Sequence, residues 1–125
     1  MTTAFWCVLV AALLPLLWAG AAKAGGGRYN NAQPREFLGA LTGWPARAHH
    51  AQQNSYEAFP PFAAAVIIAQ LCGAPQPTVD SLALAFIGAR VVYGLCYIAD
   101  LSTFRSLAWL AGLGCVVGLF VTAAG

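Results

Sequence analysis

The sequence has very little charge, and this scarcity excludes most soluble folds. Only six Lys or Arg and four Asp or Glu residues occur in the 125-residue chain, so charged residues make up 8% of it. Soluble domains contain roughly 25% charged residues, which cover their water-facing surface. Because 60% of the residues here are hydrophobic, we expect a surface covered mainly by lipid. The net charge of +2 is also too small to predict a nucleic-acid partner.

Recognisable motifs for metal binding and nucleophilic catalysis are missing too. The four cysteines contain no CxxC pair and lie in or beside apolar stretches, where cysteine packs as a small apolar residue. His49 and His50 are adjacent, so on a helix they point in different directions and cannot form an HxxxH metal pair. Ser55 and Ser102 lack a His/Asp arrangement of known spacing. We therefore expect neither a metal centre nor a serine nucleophile.

Long apolar runs are what the sequence has instead. A membrane-spanning helix needs about 20 residues, and the sequence predicts four such helices over about 4–22, 52–72, 79–98 and 106–124. Residues 23–51 form the main polar segment, in which Lys23 to Arg47 is rich in Gly and Asn and is predicted to be an irregular cytoplasmic loop. The expected architecture is a single all-α domain over residues 1–125, an integral membrane four-helix bundle.

The first apolar run has a competing interpretation as a cleaved signal peptide. Ala22-Lys23-Ala24 resembles an A-x-A cleavage site. However, the side chains of Met1-Thr2-Thr3 carry no positive charge, and the run is longer than the apolar part of a usual signal peptide. A retained membrane helix is therefore the favoured interpretation.

The second predicted span begins before it becomes apolar. Residues 46–53 are polar but compatible with a helix, and residues 59–72 are nearly all apolar. We expect one helix that starts in the aqueous boundary, bends at Pro60-Pro61 and stops before Gly73 and Pro75.

Lys and Arg are distributed unevenly among the connections. Those after the first and third spans contain Lys23, Arg28, Arg35, Arg47 and Arg105. The connection after the second span and both termini contain no Lys or Arg side chain. Because cytoplasmic loops are enriched in Lys and Arg, the first and third connections are predicted to face the cytoplasm and both termini to face away from it.

Polar side chains form two stripes on the second and third predicted helices. Within each stripe the polar residues are three or four positions apart, so they share one face of their helix. The stripe on the second helix consists of Arg47, His50, Asn54 and Glu57, and the stripe on the third consists of Arg90, Tyr93 and Tyr97. The helices run in opposite directions, so both stripes lie near their cytoplasmic ends and should meet at one depth. Arg105 follows just beyond the third helix on the same side.

Two interpretations of these stripes remain open from the residues alone. In the structural interpretation, Glu57 and Arg90 form an ion pair that holds the two helices together, and the tyrosines lie at the membrane–water interface. In the functional one, the stripes line a polar pocket for a ligand with carboxylate and amide groups. Arg would then bind carboxylates, Asn and Tyr would hydrogen-bond amides, and Glu57 would bind an ammonium group.

The second helix and its neighbour resemble a known family. Arg47-Ala-His-His-Ala-Gln-Gln-Asn54-Ser-Tyr-Glu57-Ala-Phe-Pro60-Pro-Phe62 is similar to the MAPEG signature, ER-x-x-R-A-x-x-N-x-x-E followed by Pro and an aromatic residue. Residues 89–97 resemble the family's A-R-x-x-Y-x-x-x-Y stretch, and Arg105 falls where the family has a further Arg. The resemblance covers nearly the whole chain and is strongest to the short bacterial branch.

The resemblance implies a function and an assembly. It implies a homotrimer in the bacterial inner membrane that binds glutathione as cosubstrate between neighbouring subunits near the cytoplasmic face. The glutathione-binding positions would be Arg47, His50, Asn54, Glu57, Arg90, Tyr93 and Tyr97. Arg105 would be the catalytic residue, because a guanidinium favours the thiolate of glutathione over the thiol. The reaction would be that of a transferase or peroxidase on a lipophilic electrophile or hydroperoxide that arrives through the bilayer.

Two departures from the family signature keep a second function open. Ala46 occupies the place of the signature Glu, and His50 that of its second Arg, which contributes to glutathione binding in the enzymes. A non-catalytic membrane protein that binds or regulates others, as one eukaryotic member does, is therefore the alternative. A small four-helix drug transporter is disfavoured because such proteins carry an essential Glu in the first span, which has no charged side chain here.

Overall fold

Five helices and no strands make up the fold. The computed structural model describes all residues from Met1 to Gly125, and its helices are α1 (Thr3–Gly25), α2 (Pro34–Gly39), α3 (Gly43–Leu71), α4 (Gln76–Ile98) and α5 (Ser102–Ala124). Three of them, α1, α4 and α5, are long and apolar enough to cross a membrane. This confirms the all-α class and places three predicted spans in apolar helices. α3 falls outside that group because its first half is polar, so a span over 52–72 stays a prediction.

The segment between α1 and α3 is more regular than the sequence predicted. Instead of an irregular loop from Lys23 to Arg47, α1 continues to Gly25, α2 occupies Pro34–Gly39 and α3 already begins at Gly43. Pro34 starts α2 at a position where its fixed φ suits the first turn of a helix. The Tyr29 ring lies 5.2 Å from that of Phe37 and 4.5 Å from the Lys23 ammonium. These aromatic contacts order the connection.

α3 is continuous, as predicted. It runs through both Pro60 and Pro61 without interruption. It ends at Leu71, and Gly73 follows with a positive φ of 69°, a conformation that suits glycine after the end of a helix.

Small side chains form much of the core where the four long helices meet. α1 packs along α3, α4 packs along α5, and α3 lies against α4. Buried alanines let the helix backbones approach closely, and they occur in α1, α3 and α4: Ala4, Ala11, Ala65, Ala69 and Ala83. Phe62 of α3 stacks on Phe86 of α4 in this core, and their ring centroids are 3.9 Å apart.

The helices place chemically different groups at the two ends of the molecule. One end, called the basic end below, contains the end of α1, the start of α3, the end of α4 and the start of α5, with all five loop cations named above. The opposite end contains the N-terminus, the α3–α4 turn and the C-terminus. There Asp80 Oδ1 accepts hydrogen bonds from the Ala4 backbone N–H at 2.9 Å and from Gln76 Nε2 at 2.7 Å.

Candidate functional site

A polar cavity lies between α3 and α4 towards the basic end. It has a volume of about 290 Å³ and is lined by His50, Gln53, Asn54, Glu57, Tyr93 and Tyr97. The four α3 residues share a face because of their helical spacing, and the two tyrosines approach from α4. The structure thus brings five of the residues singled out in the sequence to one cavity. Gln53 was not among them, although its position three residues after His50 on the same face could have identified it.

Arg90 is the buried charge behind this cavity. Its side chain is only 3% exposed, and Nη2 donates a 2.6 Å hydrogen bond to Asn54 Oδ1. Asn54 Nδ2 in turn donates to Glu57 Oε2 at 3.5 Å. The direct Glu57–Arg90 ion pair of the structural interpretation is therefore replaced by an arrangement in which Asn54 lies between the two charges.

The Arg90 guanidinium is not fully satisfied by these contacts. Its carbon lies 4.2 Å from the centre of the Tyr93 ring, a cation–π distance. Its Nε is buried and has no hydrogen-bond partner. Buried N–H groups are nearly always paired in proteins, and Arg90 Nε has no partner within the chain, as is also true of Trp18 Nε1.

Arg105, on α5, lies against the ring of Tyr97, which lines the polar cavity. Its guanidinium carbon lies 4.5 Å from the centre of the Tyr97 ring. The same ring lies 5.7 Å from that of Tyr93 and 6.0 Å from the His50 imidazole. Arg105 therefore supplies a positive charge at the edge of a cavity that is otherwise lined by neutral polar groups and Glu57.

Arg47 has a different contact from the one its place in the stripe predicted. Its Nε donates to the backbone carbonyl of Ile98 at 3.1 Å, and Ile98 is the last residue of α4. Carbonyls at a helix C-terminus lack partners within the helix, and Arg side chains commonly bind them. Arg47 thus ties α3 to the end of α4 outside the polar cavity, and its role in ligand binding stays a prediction.

A second, mainly apolar cavity adjoins the first. Its volume is about 220 Å³, and its lining comes from three helices: Glu57, Ala58, Pro61, Phe86, Arg90, Trp109, Gly112, Leu113 and Val116. Glu57 lines both cavities. Sequence reasoning missed this cavity, although Trp109 and Gly112 follow Arg105 by four and seven residues and so lie on one face of α5.

The combined site suits a ligand with both polar and apolar parts. The chemistry of these side chains allows Asn54, Gln53 and the tyrosine hydroxyls to hydrogen-bond amide groups, Glu57 to attract an ammonium group and Arg105 to attract an anion. The apolar cavity offers Phe86 and Trp109 to a hydrophobic group next to them.

Comparison with known proteins identifies the family. A search among curated proteins found no match. A profile of the MAPEG family matches residues 3–125, which is essentially the whole chain. Together with three helices that are long and apolar enough to cross a membrane, this match shows that the chain is an integral membrane protein of the MAPEG family.

Proposed function

We propose that this protein is a glutathione-dependent transferase or peroxidase that acts on lipophilic electrophiles or hydroperoxides within the membrane. The Arg105 guanidinium stacks on Tyr97 at the edge of the polar cavity, and that cavity adjoins an apolar one through Glu57. A polar thiol cosubstrate and a lipophilic second substrate therefore have neighbouring places beside one free positive charge.

The lining of the polar cavity matches the chemistry of glutathione. The tripeptide has two carboxylates, two amide groups and one ammonium. Glu57 is the acidic residue in the cavity and is exposed to a ligand, so it binds the ammonium. Asn54 and Gln53 offer amide groups to the peptide bonds. Arg47 and His50, at the same end of α3, are the proposed contacts for a carboxylate.

Arg105 supplies the chemical activation. A guanidinium beside the bound thiol stabilises its anion and lowers the pKa of that thiol, so more of it is present as the reactive thiolate. In the transferase reaction the thiolate sulfur bonds to the electrophilic carbon, and the leaving group departs with the electron pair. In the peroxidase reaction the sulfur takes the terminal oxygen of the hydroperoxide and releases an alcohol. A second glutathione then reduces the sulfenic acid to give a disulfide and water.

We also propose that the protein is a homotrimer with its basic end at the cytoplasmic face of the membrane. His50, Gln53 and Glu57 are all exposed in the single chain, so the polar cavity is open on one side. This supports a homotrimer in which a neighbouring subunit covers the site. The concentration of Lys and Arg at the basic end supports its placement at the cytoplasmic face of a bacterial inner membrane, with α3 as the remaining span and both termini facing away from the cytoplasm.

Thermal unfolding in detergent tests the cosubstrate. Glutathione at 100 times its dissociation constant should stabilise the protein by about 2.7 kcal/mol and raise its Tm. Glu57→Ala should remove most of this shift because it removes the ammonium ligand. Glu36→Ala is the matched control, since Glu36 is exposed on α2 away from the cavity, and it should keep the full shift. An unchanged wild-type Tm at saturating glutathione would contradict the proposal.

The second candidate function is a non-catalytic binding or regulatory membrane protein. The specific observation in its favour is the pair of replacements Ala46 and His50 at charged positions of the family signature. This candidate predicts a ligand-dependent Tm shift without formation of a thiolate.

A further inference from the structure

A small third cavity, called the buried cavity below, lies between α1, α3 and α4. Only about 10 Å³ of it is open to the centre of a water molecule, which is room for one water and for no larger ligand. Its two polar residues are Ser55 and Arg90, which are 4% and 3% exposed. The full lining consists of Ala11, Leu14, Ser55, Ala58, Phe59, Phe86 and Arg90.

Arg90 brings an unpaired donor to this cavity. A guanidinium is planar, and its Nε–H lies on the same edge as one N–H of Nη2. Because Nη2 donates to Asn54 Oδ1 at 2.6 Å, that edge faces α3, where Ser55 is the next residue. Nε is buried and has no hydrogen-bond partner in the chain. A buried donor on a charged group gains strongly from an acceptor.

Ser55 offers the complementary acceptor. Its hydroxyl donates to the Ala51 carbonyl oxygen at 2.8 Å, so the hydroxyl proton is in use while the oxygen keeps lone pairs that can accept. Arg90 Nε and Ser55 Oγ are not bonded to each other. A ligand between them must accept from the first and donate to the second. Water does both, whereas a chloride ion cannot donate and an ammonium group cannot accept.

We propose that one water molecule is bound between Arg90 Nε and Ser55 Oγ, and that Ser55 is thereby a positioning residue of the ligand site. The water and Asn54 together hold one edge of the guanidinium. Arg90 then keeps Asn54 Oδ1 turned towards itself and leaves Asn54 Nδ2 to Glu57 at the polar cavity. The effect on glutathione binding rests on the proposed function, whereas the water site does not depend on it.

Two serines with the same backbone contact provide matched variants. Ser81 Oγ donates to the Pro77 carbonyl oxygen at 2.8 Å, as Ser55 Oγ does to that of Ala51, but Ser81 is exposed and does not line the buried cavity. Ser55→Val removes the acceptor and fills the space with methyl groups, and Ser81→Val makes the same change elsewhere. Ser55→Ala removes the acceptor without adding bulk, which keeps the test valid if Ser55→Val does not fold.

Nuclear Overhauser contacts between water and side-chain N–H groups detect the bound molecule. The detergent-solubilised protein is labelled with ¹⁵N-arginine and ¹⁵N-tryptophan, and the Arg90 Nε–H signal is identified by its loss in Arg90→Lys or by its contacts with the Tyr93 ring, which lies against the guanidinium. This signal should show a contact to water, with the sign that separates a through-space contact from proton exchange in a rotating-frame spectrum. Trp18 Nε1 is the internal control. It is also buried without a partner, but Trp18 does not line the buried cavity, so its signal should show no such contact.

The serine variants should separate clearly. Ser55→Val should abolish the water contact of Arg90 Nε–H, and Ser55→Ala should weaken it, because buried waters usually have two to four polar partners. Ser81→Val should retain the full contact. Ser55→Ala should also weaken glutathione binding, measured from the dependence of Tm on glutathione concentration, by about fivefold, equivalent to about 1 kcal/mol. Ser81→Ala should leave that affinity unchanged.

Each part of the inference can fail separately. No water contact at Arg90 Nε–H in the wild type, or an equal contact in Ser55→Val, would overturn the water site. A contact that stays at full strength in Ser55→Ala would remove Ser55 as its acceptor. A contact that depends on Ser55, with unchanged glutathione affinity in Ser55→Ala, would overturn the positioning role alone. If glutathione leaves the wild-type Tm unchanged while the contact depends on Ser55, the proposed function fails and the water site stands.

Discussion

Polar side chains at the two ends of the molecule differ in whether they have hydrogen-bond partners within the chain. At the opposite end, the carboxylate of Asp80 is occupied by the Ala4 backbone N–H and by the Gln76 amide. At the basic end, Arg90 keeps a buried Nε without a partner, and His50 and Glu57 face an open cavity. Groups that only stabilise a fold are expected to be satisfied within it. This difference supports the proposed ligand site at the basic end, in addition to the structural contacts made there.

Packing shows the same difference. Around the opposite end the core consists of packed small residues with Val79 and Leu119. Two cavities of about 220 and 290 Å³ lie between α3, α4 and α5 near the basic end. Because close packing is the usual state of a protein interior, retained space beside unpaired polar groups indicates a binding site.

Gly94→Ala is expected to have the largest effect on stability, because it disrupts a tightly packed contact of the basic half. Trp18 is buried and its ring lies against Gly94, where a Cβ would overlap it. Gly94→Ala should therefore destabilise the protein by about 3 kcal/mol because the ring must move. Gly88→Ala is the control, since a Cβ at Gly88 meets nothing within 4 Å. Equilibrium unfolding in mixed micelles measures both variants, and equal stabilities would refute the Trp18–Gly94 packing.

Removing the partner of Arg90 is expected to have the next largest effect. Asn54→Ala deletes the 2.6 Å acceptor of a buried guanidinium and should cost about 1.5 kcal/mol, the lower range for hydrogen bonds to charged groups. It should also abolish the Tm shift with glutathione. Gln53→Ala lines the same cavity but has no such contact, so its stability should stay near that of the wild type. A destabilised Asn54→Ala that retains the full ligand shift would show a purely structural role.

Variants of Asp80, at the opposite end, are expected to have the smallest effect on stability. Asp80→Ala removes the acceptor for the Ala4 N–H at the start of α1, a loss of the kind that costs about 1 kcal/mol at helix N-termini. Asp80→Asn keeps an acceptor oxygen and should cost less. Both variants should keep the wild-type Tm shift with glutathione. Loss of that shift in Asp80→Asn would mean that the two ends are not separate in function.

The sequence predicted the elements of the fold better than their contacts. Apolar runs and Gly/Pro breaks located the long helices, and the spacing of His50, Asn54 and Glu57 predicted a shared face, because helical period is a local property. The partner of Arg90 could not be chosen from sequence, since Asn54 and Glu57 both lie within reach on that face. The contact of Arg47 with Ile98 depends on where α4 ends. The apolar cavity depends on how three helices pack against one another, and the sequence pattern of a single helix does not determine that packing.

The ultraviolet absorption of bound glutathione reports whether this site converts the thiol to its thiolate. At neutral pH, a difference spectrum of the purified protein with saturating glutathione should contain a thiolate band. Arg105→Ala should lose the band because the stabilising charge is gone, and Arg28→Ala, which removes an exposed arginine of the α1–α2 connection, should keep it. A thiolate band that persists unchanged in Arg105→Ala, or no band in the wild type at saturation, would contradict glutathione activation by this site.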